Sequence, residues 1–245
     1  MCRGATTGSN WNDRLGRRAF SLLAALLVLV TVLFPSRGAA YVVIAQHNWN
    51  SGGLDGWTNV ETWVHLSNPG SGGIRDSGYL RFRFDPTNPE PGEEWMSLVY
   101  VNADALFAGN WTTRHWIEFD FWAEDVVPGA VQLRWASATN DNYWSYNLAV
   151  TATQTWTHLK ATFDDWEAWM YPGATEDQFL ADLASIDWIG VWVFRNTALE
   201  QSYGIDDFTL AVPEPSQWWL LGAALISSSL SILPRRRANR QVCRR

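Results

Sequence analysis

Between residues 41 and 212 the sequence has no cysteine; the chain's two, Cys2 and Cys243, stand near its extremes. That stretch cannot form a disulfide or a thiolate zinc site, so packing or hard-cation chemistry must hold it. Histidine is scarce as well. His47, His65, His115 and His158 form no H-x-x-x-H pair, which removes the helix-borne zinc site of a metalloprotease. There is no G-x-S-x-G turn, and Gly72-Gly73 is not followed by Lys-Ser/Thr, so neither a serine-hydrolase elbow nor a phosphate loop is present. Basic residues are the third shortage. Residues 41–212 hold 7 of the chain's 18 Lys and Arg but 23 of its 25 Asp and Glu, a formal charge of −16 against −7 for the whole chain. A nucleic-acid surface needs clustered cations, so no nucleic-acid partner is expected. Such acidity suits solubility outside the cell and divalent cations.

Both ends are apolar. Arg14, Arg17 and Arg18 precede a leucine-rich run from Phe20 to Phe34, and Gly38-Ala39-Ala40 supplies small residues for cleavage. This pattern predicts a signal peptide over residues 1–40, removed after Ala40 by the secretion machinery. Arg17-Arg18-Ala19-Phe20 partly resembles a twin-arginine signal, but the strongly apolar run favours the general secretory route. No cysteine follows it to carry a lipid. At the other end, Trp218–Leu233 contains no charge. As a helix its 16 residues would span roughly 24 Å, short of the ~30 Å hydrocarbon core.

That run is preceded by Val212-Pro213-Glu214-Pro215-Ser216 and followed by Arg235-Arg236-Arg237. The order of motif, apolar helix and basic stop resembles the PEP-CTERM sorting signal. The resemblance implies that residues 213–245 are a sorting segment, with Pro213, Glu214, Pro215, Arg235, Arg236 and Arg237 as its motif residues and an exosortase as processing partner. It implies a protein exported to the cell surface or the extracellular polysaccharide, with a transient inner-membrane intermediate held by the C-terminal transmembrane helix.

The working part is then residues 41–212, enough for one sizeable core. Period-2 alternation predicts strands over 41–46, 58–65, 78–84, 95–101, 115–123, 130–136, 143–150, 156–163, 187–194 and 204–211. Pro- and Gly-rich turns separate them. Thr175 and Gln178 form a capping box that opens one short helix, with Phe179, Leu180 and Leu183 as its apolar face. The fold class expected is all-β: an antiparallel sandwich with one short helix, flanked by the signal peptide and the C-terminal sorting helix. The 14 tryptophans of this stretch are more than a core buries easily, because each indole brings an N–H that needs an acceptor. Some should therefore be exposed and offer their faces to sugar rings.

From Gly78-Tyr79-Leu80-Arg81-Phe82, through Ile186-Asp187-Trp188-Ile189-Gly190-Val191, to Ile205-Asp206-Asp207-Phe208, the stretch resembles the galactose-binding-like jelly roll of carbohydrate-binding modules. Strand order in that architecture puts 78–84, 115–123, 156–163 and 204–211 in one sheet, and 95–101, 130–136, 143–150 and 187–194 in the other. Alternation then turns Arg81, Arg83, Glu118, Asp120, His158 and Lys160 outward on the first sheet, as an ion-paired surface. On the second it turns Gln132, Arg134, Tyr143, Trp188 and Trp192 outward. The aromatic faces, Trp188 and Trp192 with Tyr143 beside them, would stack on sugar rings while Arg134 and Gln132 hydrogen-bond hydroxyls, unless the loop at 166–172 covers them. The resemblance also implies a structural calcium at Asp206, although no cofactor is required. Glu118-Phe-Asp120-Phe-Trp-Ala-Glu124 resembles the acidic signature of laminarinase-like glycoside hydrolases, but its last glutamate comes too late. Residues six apart on one strand face lie roughly 20 Å from each other, against about 5 Å for a retaining pair. The function expected is polysaccharide binding without catalysis, the alternatives being a structural matrix protein with no specific ligand and such a hydrolase.

Overall fold

The computed structural model describes residues 41–214, apart from 103–105, 108, 114–115 and 140–142. Its strands are β1 (Tyr41–His47), β2 (Thr58–Asn59), β3 (Val64–Ser67), β4 (Leu80–Phe84), β5 (Met96–Asn102), β6 (Trp116–Ala123), β7 (Ala130–Ser137), β8 (Tyr143–Leu148), β9 (Thr157–Thr162), β10 (Trp169–Met170), β11 (Ile186–Phe194) and β12 (Gln201–Pro213). One α-helix, α1 (Glu176–Leu183), separates β10 from β11. Two six-stranded sheets result. The first runs β3-β4-β12-β6-β9 with β1 also on β12, and the second runs β10-β8-β7-β11-β5-β2. All pairings are antiparallel. The chain is thus an all-β jelly-roll sandwich, and both predicted four-strand sets stand in the sheets expected of them.

Two strands of the sequence reading change. The run 58–65 is not continuous, because β2 belongs to the second sheet and β3 to the first. The chain crosses between layers at Glu61–Trp63, where the Asn59 side-chain amide donates to the carbonyls of Glu61 and Val64 at 2.7 and 3.2 Å. Strand β12 is longer than expected. Residues 201–205 pair with β4, 208–213 pair with β1, and β6 lies along its other side. A bulge at Asp206–Asp207 separates the halves, with Asp207 at φ 49°, a conformation aspartate tolerates better than bulkier residues.

The sheets close over an aromatic core. Leu80, Phe82, Phe84, Ile117, Phe119 and Phe121 face Val131, Leu133, Trp135, Trp144, Ile189, Val191 and Val193, and all are buried. Trp135 and Trp144 stack at 5.8 Å with planes 18° apart. Phe179 of α1 meets both edge-on, at 5.7 and 4.9 Å. The helix starts as the capping box predicts, Thr175 Oγ1 accepting from the Gln178 N–H at 3.3 Å. Leu180 is exposed; Asp182 takes the third inward position and accepts from the Trp144 indole at 2.9 Å.

Fewer tryptophans reach solvent than the sequence suggests. Eight of the 14 are buried, namely Trp49, Trp57, Trp95, Trp111, Trp116, Trp135, Trp144 and Trp169. Trp63, Trp122, Trp156, Trp166, Trp188 and Trp192 are half-buried, and none is fully exposed. Burial is tolerable because acceptors are supplied: Leu54, Asn88, Phe107 and Thr162 carbonyls take the N–H of Trp49, Trp95, Trp111 and Trp169. Trp57 donates to Nδ1 of buried His47 at 2.7 Å, which places the imidazole proton on Nε2.

The expected C-terminal sorting helix is corrected. Among the described residues α1, eight residues long, is the only α-helix, and no helix is long and apolar enough to cross a membrane. At 1.5 Å per residue α1 spans roughly 12 Å, well short of a bilayer core. The transmembrane helix, the exosortase partner with its PEP-CTERM signal, and the inner-membrane intermediate in the route to the cell surface are therefore dropped. Of the motif residues, Pro213 ends β12 in register with Tyr41, and Glu214 follows it. Pro215, the run 218–233 and Arg235, Arg236 and Arg237 lie outside the described residues, as does the expected signal peptide at 1–40.

Trp135→Ala should destabilise the domain by about 3–5 kcal/mol, read from the urea midpoint. His47 gives a pH signature. Burial pushes its pKa below the ordinary value, the Asp55 charge only partly opposing this. The unfolded chain therefore takes up a proton near pH 6.5 that the folded domain resists. Stability should be full at about pH 7 and fall as the pH drops below ~6.5, whereas His47→Asn should flatten that fall in urea titrations.

Candidate functional site

The outer face of the first sheet is ion-paired, as alternation predicts. Arg81 meets Glu124 at 3.1 Å, Arg83 meets Asp85 and Glu200 at 3.3 and 3.5 Å, and His65 meets Asp85 at 2.8 Å. His158 spans Glu118 and Asp120 at 3.7 and 3.5 Å. Such half-exposed pairs contribute little each. Burial raises the Asp120 pKa, and His158 opposes the rise. The carboxylates of the hydrolase-like signature are thus spoken for, Glu118 and Asp120 by His158 and Glu124 by Arg81. A polar cavity of about 680 Å³ opens beside them, lined in part by Tyr41, Gln46, Arg75, Glu118, His158 and Asp207.

Asp206 stands at the bulge under this cavity and is fully buried. Its Oδ2 accepts from the Ile74 N–H and the Ser77 hydroxyl, both at 2.7 Å, and its Oδ1 from the Asp207 N–H at 2.8 Å. Burial raises its pKa, partly countered by those donors. Gly73 packs so closely that a Cβ there would lie 2.5 Å from Oδ2. Three converging donors are the wrong polarity beside a cation. Gln46 of β1 also turns a donor toward Asp207 Oδ1, at 3.2 Å. The residues around Asp206 fit a tether for the 74–77 turn better than a calcium site. Among the described residues no group of three or more His, Cys, Asp or Glu is arranged to hold a metal ion.

The outer face of the second sheet is different in kind. Trp192 is in register with Gln132 of β7 and Leu98 of β5, and Gly190 is in register with Arg134 and Tyr100. The sheet thus brings Gln132, Arg134, Tyr143, Trp188 and Trp192 onto adjoining positions of one face. Gly190 is obligatory there, since a Cβ would come within 2.4 Å of the Val99 carbonyl and 2.6 Å of Tyr100 Cβ. The Arg134 guanidinium carbon lies 4.1 Å from the Trp192 ring centre and 4.6 Å from that of Tyr143. Its Nε and Nη2 both donate to Gln132 Oε1, at 2.8 and 2.6 Å, and Gln132 donates to Asn147 at 2.9 Å. Burial lowers the arginine's pKa, Tyr143 partly opposing this. An arginine nevertheless stays charged at neutral pH.

Trp188 and Trp192 do not form the bare pair that their i, i+4 spacing suggests. Trp188 packs edge-on against Tyr100 at 6.0 Å, and Trp192 lies near-parallel to Phe194 at 6.2 Å, with Arg134 over its ring. The segment 166–172 does not close the face. It contributes β10 to the edge beside β8, with β8 and β7 standing between it and β11. Met170, Tyr171 and Pro172 wall one side of an open cavity of about 460 Å³, with Gln132, Arg134, Tyr143 and Ser145 as its other lining. Sequence reading missed Tyr100 and Phe194, although the parity of their strands places them, and missed the wall because β10 has only two residues.

No family model matches the sequence, and no curated protein matches it significantly. Solved structures do resemble it. An exo-β-agarase structure shares the fold over 70% of this chain at 12% identity and a TM-score of 0.52, the match spanning 25% of the agarase chain. A family 22 carbohydrate-binding module with its xylanase domain from Clostridium thermocellum, complexed with xylohexaose, aligns over 69% of this chain and 28% of its own, at 9% identity and a TM-score of 0.48. A family 11 carbohydrate-binding module from the same organism, bound to a β-1,3-1,4-mixed-linked tetrasaccharide, aligns over 71% and 98%, at 15% identity and 0.48. At these identities the likeness concerns the sandwich fold alone.

Asp206→Ala should lower stability by about 1–3 kcal/mol by orphaning its buried donors, and EDTA should leave the wild-type melting temperature in place. A fall of several degrees with EDTA would reinstate the cation.

Proposed function

We propose that the domain binds polysaccharide, without catalysis, on the outer face of its second sheet. One observation carries this reading: an open cavity lined by Gln132, Arg134, Tyr143 and Tyr171, with the Arg134 guanidinium stacked between the Tyr143 and Trp192 rings. Trp188, Trp192 and Tyr143 supply apolar surface for the C–H faces of pyranose rings. Arg134 and Gln132 supply donors and an acceptor for hydroxyls, and their mutual hydrogen bonds hold them in place before a ligand arrives. The sheet carries every one of these residues, and of the wall only Tyr171 and Pro172 lie off it, so the face is rigid. The absence of catalysis in this reading rests on Glu118, Asp120 and Glu124 being engaged by His158 and Arg81.

One observation favours the competing reading of a structural protein with no specific ligand. Arg134 already lies on Trp192, so that ring is partly satisfied from within. Native gel electrophoresis of the purified protein through neutral and acidic polysaccharides separates the two readings. Binding on this face predicts retardation of the wild type, weakened at least about tenfold, or roughly 1.4 kcal/mol, in the Trp188→Ala/Trp192→Ala double variant. Equal migration of both proteins in every polymer would leave the face without a ligand.

A further inference from the structure

Resting on the reading of this face as a glycan site, we propose that its ligand is an acidic polysaccharide whose uronate carboxylate is received by Arg134. Charge accounting across the sandwich leads there. Arg81 and Arg83 have carboxylate partners at 3.1–3.5 Å on the first sheet, while Lys160 lies over the Trp116 ring at 3.7 Å. Arg195 is sealed in the core, where it donates to the Asp85 carbonyl at 2.6 Å. Arg75 lines the cavity beside the first sheet, which leaves Arg134 as the one cation in the strands of the second sheet. Among the described residues no carboxylate comes within ion-pairing distance of it. This occurs in a segment with 23 acids.

The omission belongs to the whole face. The outward positions of β5, β7 and β8 carry no acid, and the one acid of β11, Asp187, sits in the bulge at that strand's start. No carboxylate lines the adjoining cavity. A neutral glycan needs no such exclusion, because Asp and Glu are good acceptors for sugar hydroxyls. An anionic one does, since each carboxylate on the face would repel it.

The guanidinium is also held for this task. Gln132 Oε1 takes Nε and one N–H of Nη2. That leaves the end-on edge, both N–H groups of Nη1 and the second of Nη2, without an acceptor among the described residues. Arg134 lines the open cavity, and two parallel N–H groups match a planar carboxylate. Tyr143 and Trp192 on its flanks fix the plane of the fork and leave its edge open. The ion-paired carboxylates of the first sheet stand on the far side of a sandwich about 10 Å deep. Salt near 0.15 M screens charge beyond about 8 Å, so they weaken this local field little.

The test uses matched polymers. Polygalacturonate, alginate and a glucuronan are each compared with their carboxyl-reduced products, which keep the linkage and lose the charge, together with dextran sulfate and dextran. Affinity electrophoresis of the purified protein at about 0.15 M salt is expected to show at least one polyuronate bound about tenfold more tightly than its reduced partner. Arg134→Gln should erase that difference with an unchanged melting temperature, and Arg134→Lys should keep part of it. Equal binding of parent and reduced polymers, lost in the Trp188→Ala/Trp192→Ala variant, would overturn the acidic assignment and leave the glycan face standing. Dextran sulfate bound in place of every polyuronate would overturn the carboxylate in favour of a sulfate ester. No retardation by any polymer would remove both readings together.

Discussion

The sandwich is organised by the need to bury indoles between two sheets and still give each N–H an acceptor. An apolar side chain asks only for space, but a buried tryptophan also asks for an oxygen or nitrogen at a fixed place on its rim. Most of those acceptors come from loops. The carbonyls of Leu54, Asn88 and Phe107 are held where Trp49, Trp95 and Trp111 point, four to seven residues away in sequence. The paths of these loops are therefore consequences of the core. Trp144 reaches further, to Asp182 on α1, which pins the helix across the end of the Trp135–Trp144 stack. Where no acceptor stands among the described residues, at the indole nitrogens of Trp116 and Trp135, packing has outweighed a hydrogen bond. For Trp135 the compensation is visible in four aromatic neighbours, Trp111, Trp144, Trp169 and Phe179.

Strand membership and facing were legible because alternation is a local property that survives folding. Phe82 and Phe84 face inward and Arg81 and Arg83 outward whatever the neighbouring strand is. What could not be read depends on events between layers. The crossing at Glu61–Trp63 looks, residue by residue, like the continuation of one strand. The bulge at Asp206–Asp207 is no more visible, because aspartates occur in turns and strands alike. The same limit applies to the sites. Sequence placed Gln132, Arg134, Tyr143, Trp188 and Trp192 on one face, but not the stacking of Arg134 on Trp192, which needs the register of β7 against β11. The resemblance placed a calcium at Asp206, whereas the donors that its carboxylate accepts from, Ile74 and Ser77, lie some 130 residues earlier and could not be read beside it. The reading of the C-terminal run as a membrane helix rested on its lack of charge and on the motifs that flank it, and no described helix has the length for that role.

The two outer faces divide the work of a strongly acidic chain. On the first sheet, Arg81, Arg83, His65 and His158 are set against carboxylates, and neighbouring strands present opposite charges to each other. On the second, acids are left out and the cation is placed between rings. Such segregation keeps the carboxylates of the first face away from the cation of the second. The Asp206 tether and the ion pairs stand on one side, and the Arg134–Trp192 stack stands on the other.

The pairing of Tyr41 with Pro213 has a further meaning. Because β1 and the end of β12 are neighbours, the chain enters and leaves the sandwich about 5 Å apart, the spacing of adjacent strands. A domain with so narrow a doorway can be slotted into a loop of another protein, or cut open at an exposed turn and rejoined through its original ends, without stretching either partner. For this protein the doorway lies on the first sheet.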